Sequence, residues 1–343
     1  MKEAIRDWAG QGLKPKRMWM ALLQRFNLVE ATAPHLSSVQ RFAHHYVTGK
    51  LGGSDIIDAV QRKIRESAFT GEKEEASAFT FTSRTDDEGN AVTGNGSDRN
   101  PFIVGVSSKK LLRRADRDPR SFVLHIDATY KLTQLAYPVV VVGISDRARS
   151  FHLLGISIVS QQQQQHHAEV LTLLRRVYEA VTGKPFRVRY VMGDADAAQW
   201  NAVQEVLAQD NHLVFLMCYF HVAKKVFEKT RSLSQDAAKT VMADIHDIHF
   251  ASTEEIFHTK LGGVLQKWAG LPEIARFTAY FSKTWLDPRF WRWQAFHTPS
   301  GFATTNNPCE TFNAATKRDV TLRRKLKDIR NDGGTGSPAP TKG

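Results

Sequence analysis

The chain predicts a mixed α/β fold: a five-stranded sheet flanked by helices, with a helical region before it and a helical insertion late in it. Three observations predict this. Apolar runs at 121–130, 137–145 and 151–160 are joined by short connections, as in an antiparallel meander. Two further apolar runs, 186–192 and 212–218, each follow a segment of helical period, so they enter the sheet by crossovers, parallel to the first strand. Residues 222–300 carry no strand-type alternation and read as mostly helical.

Taken in order, residues 1–70 read as helical. Apolar residues recur at helical spacing from Met18 to Phe26, and a second helix starts near Pro34 with Ser37 or Ser38 as its cap. Two helices joined by a turn make either an ordinary hairpin or a helix-turn-helix DNA reader. Residues 71–104, rich in Gly, Asp, Ser and Asn, read as a loop-rich linker with an excursion between small strands. Residues 105–120 hold Lys109, Lys110, Arg113, Arg114, Arg117 and Arg120 and read as a solvated basic face.

In the first strand Phe122, Leu124 and Ile126 share one face and Asp127 takes the other. The five residues from Asp146 to Ser150 suit a hairpin between the second and third strands. From 168 to 182, Val170, Leu173, Leu174, Val177 and Val181 mark an amphipathic helix that Gly183 ends. A second helix is expected over 197–209. The last helix is expected over 306–330, capped by Asn306 or Asn307 with Pro308 in its first turn. Residues 331–343 read as a flexible tail. Strand, strand, strand, helix, strand, helix, strand is the order of the ribonuclease H-like fold, expected here over 105–330 with 222–300 as its helical insertion.

Composition narrows the function. At 343 residues and 42% hydrophobic content the chain can bury a full core. Lys and Arg number 47 against 35 Asp and Glu, a formal charge of +12. That excess favours a polyanionic partner, because neutralising phosphates releases condensed counterions. Two cysteines exclude a disulfide scaffold and suit a reducing compartment. Charge alone fits RNA, DNA or an anionic membrane; no run of about 18 apolar residues is present, so no membrane span is expected, and nucleic acid rather than a membrane is taken as the partner. The first residues do not read as a signal peptide.

Three carboxylates stand out. Asp127 and Asp194 lie where apolar strands end, and Glu310 lies in the first turn of the last expected helix. In open α/β sheets, ligands gather at the carboxyl ends of strands near a switch in strand order. A lone aspartate at a strand end is more often a cap or turn residue than a ligand; three acids in matching contexts favour a site. Brought together they can hold two divalent ions, Mg²⁺ or Mn²⁺ by the hardness of their oxygens. Two ions there can activate water or a sugar hydroxyl against a DNA phosphate. Asp196 reads as the cap of the following helix.

The segments Asp127-Ala-Thr-Tyr, Gly193-Asp194-Ala-Asp196, Cys218-Tyr-Phe-His221 and Thr305-Asn-Asn-Pro-Cys-Glu310-Thr-Phe-Asn313 resemble, in this order, the transposase domain of Mutator-like elements. The resemblance covers roughly residues 100–330 and implies a DNA transposase with an Asp-Asp-Glu triad of Asp127, Asp194 and Glu310. It also implies a role near the active site for Cys218, His221 and Asn313. Sixty-seven residues separate the two aspartates and 116 separate Asp194 from Glu310, which suits a family with helices inserted before the glutamate. The implied partner is double-stranded DNA, both transposon ends and target. Joining two ends makes a homodimer plausible, and a nuclear location follows. Members of the family often carry zinc-binding modules before and after this domain. Two cysteines supply neither, so a truncated copy is one reading.

Other groups have competing readings. Cys218 and His221 alone lack the four ligands of a zinc site, so zinc is not expected there. Lys317, Arg318, Arg323, Arg324 and Lys325 follow the glutamate; they suit DNA phosphates, nuclear import or a solvated helix. Trp285, Trp291 and Trp293 read as packing residues rather than base-stacking ones. Two rival functions stay open: a transposase-derived DNA-binding protein without catalysis, and a ribonuclease H-like nuclease acting on RNA or hybrids.

Overall fold

The computed structural model describes residues 1–10, 13, 15–29, 32–50, 57–82, 84–97, 99–130, 137–208 and 212–321. The chain divides into two compact units, Met1–Glu66 and Ser67–Gly343. The expected flexible tail, the end of the last helix, and Arg323, Arg324 and Lys325 lie outside the described residues.

Among its described residues the first unit has four helices: α1 (Lys2–Gly10), α2 (Pro15–Arg25), α3 (Leu36–Lys50) and α4 (Ile57–Glu66). The first three enclose Ile5, Ala9, Met18, Leu22, Val39 and Ala43. The Trp19 indole donates to the Pro34 carbonyl at 2.8 Å, fixing the chain that enters α3.

The second unit is built on a mixed sheet of seven strands, two more than expected. Its first strands are β1 (Phe79–Phe81), β2 (Arg84–Thr85), β3 (Ala91–Val92) and β4 (Ile103–Ser107). β2 and β3 form a separate ribbon. A short α5 (Lys109–Leu112) follows, capped by the Ser108 hydroxyl. Then come β5 (Val123–Thr129), β6 (Val139–Ser145), β7 (Phe151–Val159), α6 (Gln164–Thr182), β8 (Tyr190–Gly193), α7 (Ala197–Leu207) and β9 (Val214–Met217). The order across the sheet is β1-β4-β7-β6-β5-β8-β9. The meander β5-β6-β7 is antiparallel, and β8 and β9 run parallel to β5, as expected. The two additional strands come from in and beside the stretch read as a loop-rich linker between small strands; what the sequence did not show is that they join the main sheet. β4 pairs antiparallel with β7, and β1 with β4, extending that edge. Their signal in sequence is weak because β1 spans three residues between polar turns.

Ladder pairing also shortens two expected strands. Phe186 and Val188 are buried, yet pairing starts only at Tyr190. The basic stretch 105–120 is partly tied down: Arg113 pairs with Glu75 at 3.2 Å, and Lys109 donates to the Gly71 carbonyl at 2.7 Å. Gly183 closes α6 in the left-handed conformation, φ 70°, that glycine adopts without strain.

The helical segment after β9 comprises α8 (Tyr219–Thr230), α9 (Gln235–His249), α10 (Glu254–Ala269) and α11 (Ala275–Trp285). Ser234 and Thr253 cap α9 and α10. Trp268, Phe281, Trp285 and Trp293 fill its interior. Trp293 donates to the Trp285 carbonyl at 2.8 Å, so these two indoles pack and do not face solvent. The final helix is α12 (Asn307–Thr321). Its Cys309 is buried against Val139 and Val141 of β6, and its Phe312 ring lies 5.1 Å from Phe151.

Candidate active site

Alternation along β5 sends Val123, His125 and Asp127 to one face and Leu124 and Ile126 to the other. Leu124 and Ile126 join the main core, while Val123 packs with Met192, Leu216, Cys218 and Phe302. The sheet face carrying Asp127 is the one that α12 covers, which is how a residue 186 positions later reaches it: Asn313 donates to Asp127 Oδ2 at 2.6 Å.

His125, fully buried two residues before Asp127, sets where α12 sits. Its Nδ1 is 2.8 Å from Asn306 Oδ1 and its Nε2 is 2.7 Å from the Ser145 hydroxyl. Burial holds its pKa down to about 4, the Asn306 bond opposing weakly. The ring is therefore neutral near pH 7. The Asn306 oxygen only accepts, so Nδ1 carries the proton and Ser145 donates to Nε2. Asn306 itself stands just before α12. Its carbonyl accepts the Glu310 N–H at 3.0 Å, and its N–H donates to Cys218 Sγ at 3.1 Å. One buried asparagine thus binds the start of the Glu310 helix to the strand of Asp127 and to the end of β9.

Asp194 directly follows β8, at the carboxyl end of a strand parallel to β5. Its N–H donates to Gln199 Oε1 at 3.1 Å, and Gln199 Nε2 donates to the Ile126 carbonyl at 3.3 Å. The buried Gln199 amide therefore straps together the ends of the two aspartate-bearing strands. Gly193 makes room for it: a Cβ there would collide with Gln199 Oε1 and come within 2.8 Å of the Phe215 ring. Asp196 caps α7, accepting from the Gln199 N–H at 2.8 Å, as its position after the strand predicts.

Cys218 directly follows β9, its N–H on the Gly193 carbonyl at 3.1 Å, and α8 starts there. That places His221 in the first turn of α8, beside both Asp194 and Glu310. Its Nδ1 lies 2.9 Å from Asp194 Oδ1 and 3.7 Å from Glu310 Oε1. Asp194 pairs with the ring across the shorter distance, Glu310 stands further off, and all three atoms are shut off from solvent. Asp194 and Cys218 push the His221 pKa up to about 10, so it is an imidazolium near pH 7.

The carboxylates feel one another. Burial, then repulsion from Asp194, raises the Asp127 pKa, with the Asn313 bond opposing. Burial raises Glu310 as well, and Asp127 and Asp194 add to the rise while His221 opposes it. Acids in mutual repulsion, with oxygens shut off from solvent, are what a divalent cation relieves. The oxygens are hard donors that fit Mg²⁺ or Mn²⁺.

Asp127, Asp194, Glu310, Cys218, His221 and Asn313 thus meet in one place. Lys317, one helical turn beyond Asn313, and Arg318 lie on α12. Sequence reasoning passed over His125, Gln199 and Asn306 as ties. A histidine inside an apolar strand was the available signal for the first. It also passed over α8, where Phe220, Lys224, Phe227 and Arg231 form an exposed stripe at helical spacing. Phe220 and Phe227 are 51% and 55% exposed, and the Arg231 guanidinium lies 5.4 Å from the Phe227 ring centre. Lys224 is close enough to lower the Glu310 pKa.

Among the described residues no helix is long and apolar enough to cross a membrane. No curated protein matches the chain. A family match runs from the start of β5 into α8, taking in Asp127, Asp194, Cys218 and His221 and stopping short of Glu310: over residues 123–225 the chain matches the MULE transposase domain, which points to a transposase-related function with DNA as its partner.

Proposed function

We propose that the second unit is a ribonuclease H-like DNA transposase domain whose Asp127, Asp194 and Glu310 hold two divalent metal ions for DNA strand cleavage and transfer. The observation that carries this reading is the convergence of the three carboxylates. Asp194 and Glu310 share the approach to one His221 nitrogen, while Asp127 is bonded to Asn313 on the Glu310 helix. The order β7-β6-β5-β8-β9, with three antiparallel strands and two parallel ones, supports the fold assignment. Mg²⁺ or Mn²⁺, when bound, would activate a water or 3′-hydroxyl and stabilise the leaving oxygen.

The chain's own residues do the rest. Gln199 fixes the spacing of the two aspartates, and Asn313 holds the Asp127 carboxylate in one orientation. His221 supplies a positive charge to Asp194 and Glu310. The α8 stripe offers two aromatic faces and two cations beside the site. Such a surface suits a DNA strand whose phosphates meet Lys224 and Arg231 and whose unpaired bases stack on Phe220 and Phe227. Lys317 and Arg318 extend the basic surface along α12 on this reading, with nuclear localisation and a homodimer of the full chain as its corollaries.

A Mn²⁺-dependent nicking assay on duplex DNA, with wild type, Asp127→Ala and Glu310→Gln, tests the proposal. Each variant should lose at least ~100-fold in rate, the scale of removing a group that stabilises developing charge. Equal cutting by all three would end the catalytic assignment. DNA binding without cutting by any of them would leave a binding protein, and preferential cutting of hybrid or RNA would leave a nuclease.

A further inference from the structure

Cys-x-x-His supplies two ligands, too few for zinc by sequence, and folding changes that count. Asp194, Cys218 and His221 each bring one ligand atom to within 4.8 Å of the others, and Glu310 Oε1 stands 3.7 Å from His221 Nδ1. We propose that Asp194, Cys218 and His221 form a site for a borderline-soft divalent ion, Zn²⁺ by its donor set of one thiolate, one imidazole and one carboxylate, with the fourth position open to Glu310 or water. The site overlaps the magnesium-binding carboxylates but is not the same site.

Three features support it. The donors are held by rigid elements: Asp194 and Cys218 each stand one residue past adjacent parallel strands. His221 and Glu310 sit in the first turns of α8 and α12. The Asn306 N–H directed at Cys218 Sγ orients the sulfur towards the other donors. Asp194 Oδ1, His221 Nδ1 and Glu310 Oε1 are buried together, and an ion seated among them replaces the proton that now joins His221 to Asp194 across 2.9 Å. Mg²⁺ disfavours sulfur, so Cys218 has no part in the hard-ion set.

Binding is a plain exchange: the Cys218 thiol and the His221 Nδ1 each release a proton to solvent, and no atom changes oxidation state. A zinc ion seated here draws Asp194, and Glu310 where it fills the fourth position, away from magnesium. In that one respect the inference rests on the proposed function, and it makes zinc an inhibitor of strand cleavage. The existence of the site does not depend on catalysis.

The test is cobalt substitution in the full chain after chelator treatment. Co²⁺ should give a thiolate-to-metal charge-transfer band and tetrahedral visible bands. Equimolar Zn²⁺ should abolish both, and excess Mg²⁺ should not. Cys218→Ser should lose the charge-transfer band, while Cys309→Ser keeps it. X-ray absorption at the zinc edge of loaded wild type should find one sulfur among nitrogen and oxygen neighbours, a readout that needs no variant to fold. A wild type with no charge-transfer band, a band that persists in Cys218→Ser, or a zinc shell without sulfur would overturn the proposal. A metal-free chain that gives the band with Co²⁺ but fails to nick DNA when supplied with Mn²⁺ alone would sink the catalytic reading and leave this one standing.

Discussion

His221 meets two carboxylates and a thiol through one ring, and its charge has a measurable signature. Its pKa stands at about 10 against an ordinary 6.5. A group whose folded pKa is raised lends stability that is full below the unfolded value and is lost as pH climbs through the folded one. Metal-free wild type should therefore lose stability between pH 6.5 and about 10, and His221→Gln should flatten that loss. Thermal melts across this range check it; parallel curves would mean that the ring carries no charge. Asp127, Asp194 and Glu310 could be picked out by eye because an acid ending an apolar run, or following Asn-Pro in a helix start, breaks a local pattern. His125, Gln199 and Asn306 could not. Their meaning lies in partners such as Asn306 for His125, 181 residues away, and Ile126 for Gln199, 73 residues away, and no window along the chain contains both ends.

Between elements, two buried polar ties set the geometry of the site: Gln199 across β5 and β8, and His125–Asn306 between β5 and α12. Gly193→Ala would drive a methyl into Gln199 and Phe215. We expect a loss of about 1–3 kcal/mol, typical of overpacking, together with a weaker Mn²⁺ response. Urea melts and a metal titration of the nicking rate would check both; unchanged stability would show that Gln199 is free to yield. His125→Ala leaves Asn306 and Ser145 without a partner and should cost about 2 kcal/mol. The meander and its crossovers were readable in the sequence because connection length decides parallel from antiparallel. β1 and β4 were not, since strands of three and five residues beside polar turns gain their identity only from the edge of β7 that receives them.

For the second unit as a whole, buried neutral histidines govern acid tolerance. Burial holds His125, His249 and His297 down to about 4. A depressed histidine keeps its stabilising effect above 6.5 and loses it as pH falls towards the folded value, because the unfolded chain then binds more protons. Stability should fall from pH 6.5 to about 4 with a slope of up to roughly 4 kcal/mol per pH unit if all three take up a proton on unfolding. Denaturant melts over that interval check it, and a flat profile would mean the rings are charged when folded. The sheet also ends abruptly on both sides, in three-residue β1 and four-residue β9, and the Met217 N–H at the latter border is already taken by the Arg292 carbonyl. Borders that brief give a neighbouring chain little backbone to zip onto. A second copy of this chain would find little there on which to continue the sheet, so end-to-end stacking into a fibre is a poor route to association, and refolding at high concentration should leave no thioflavin-positive material.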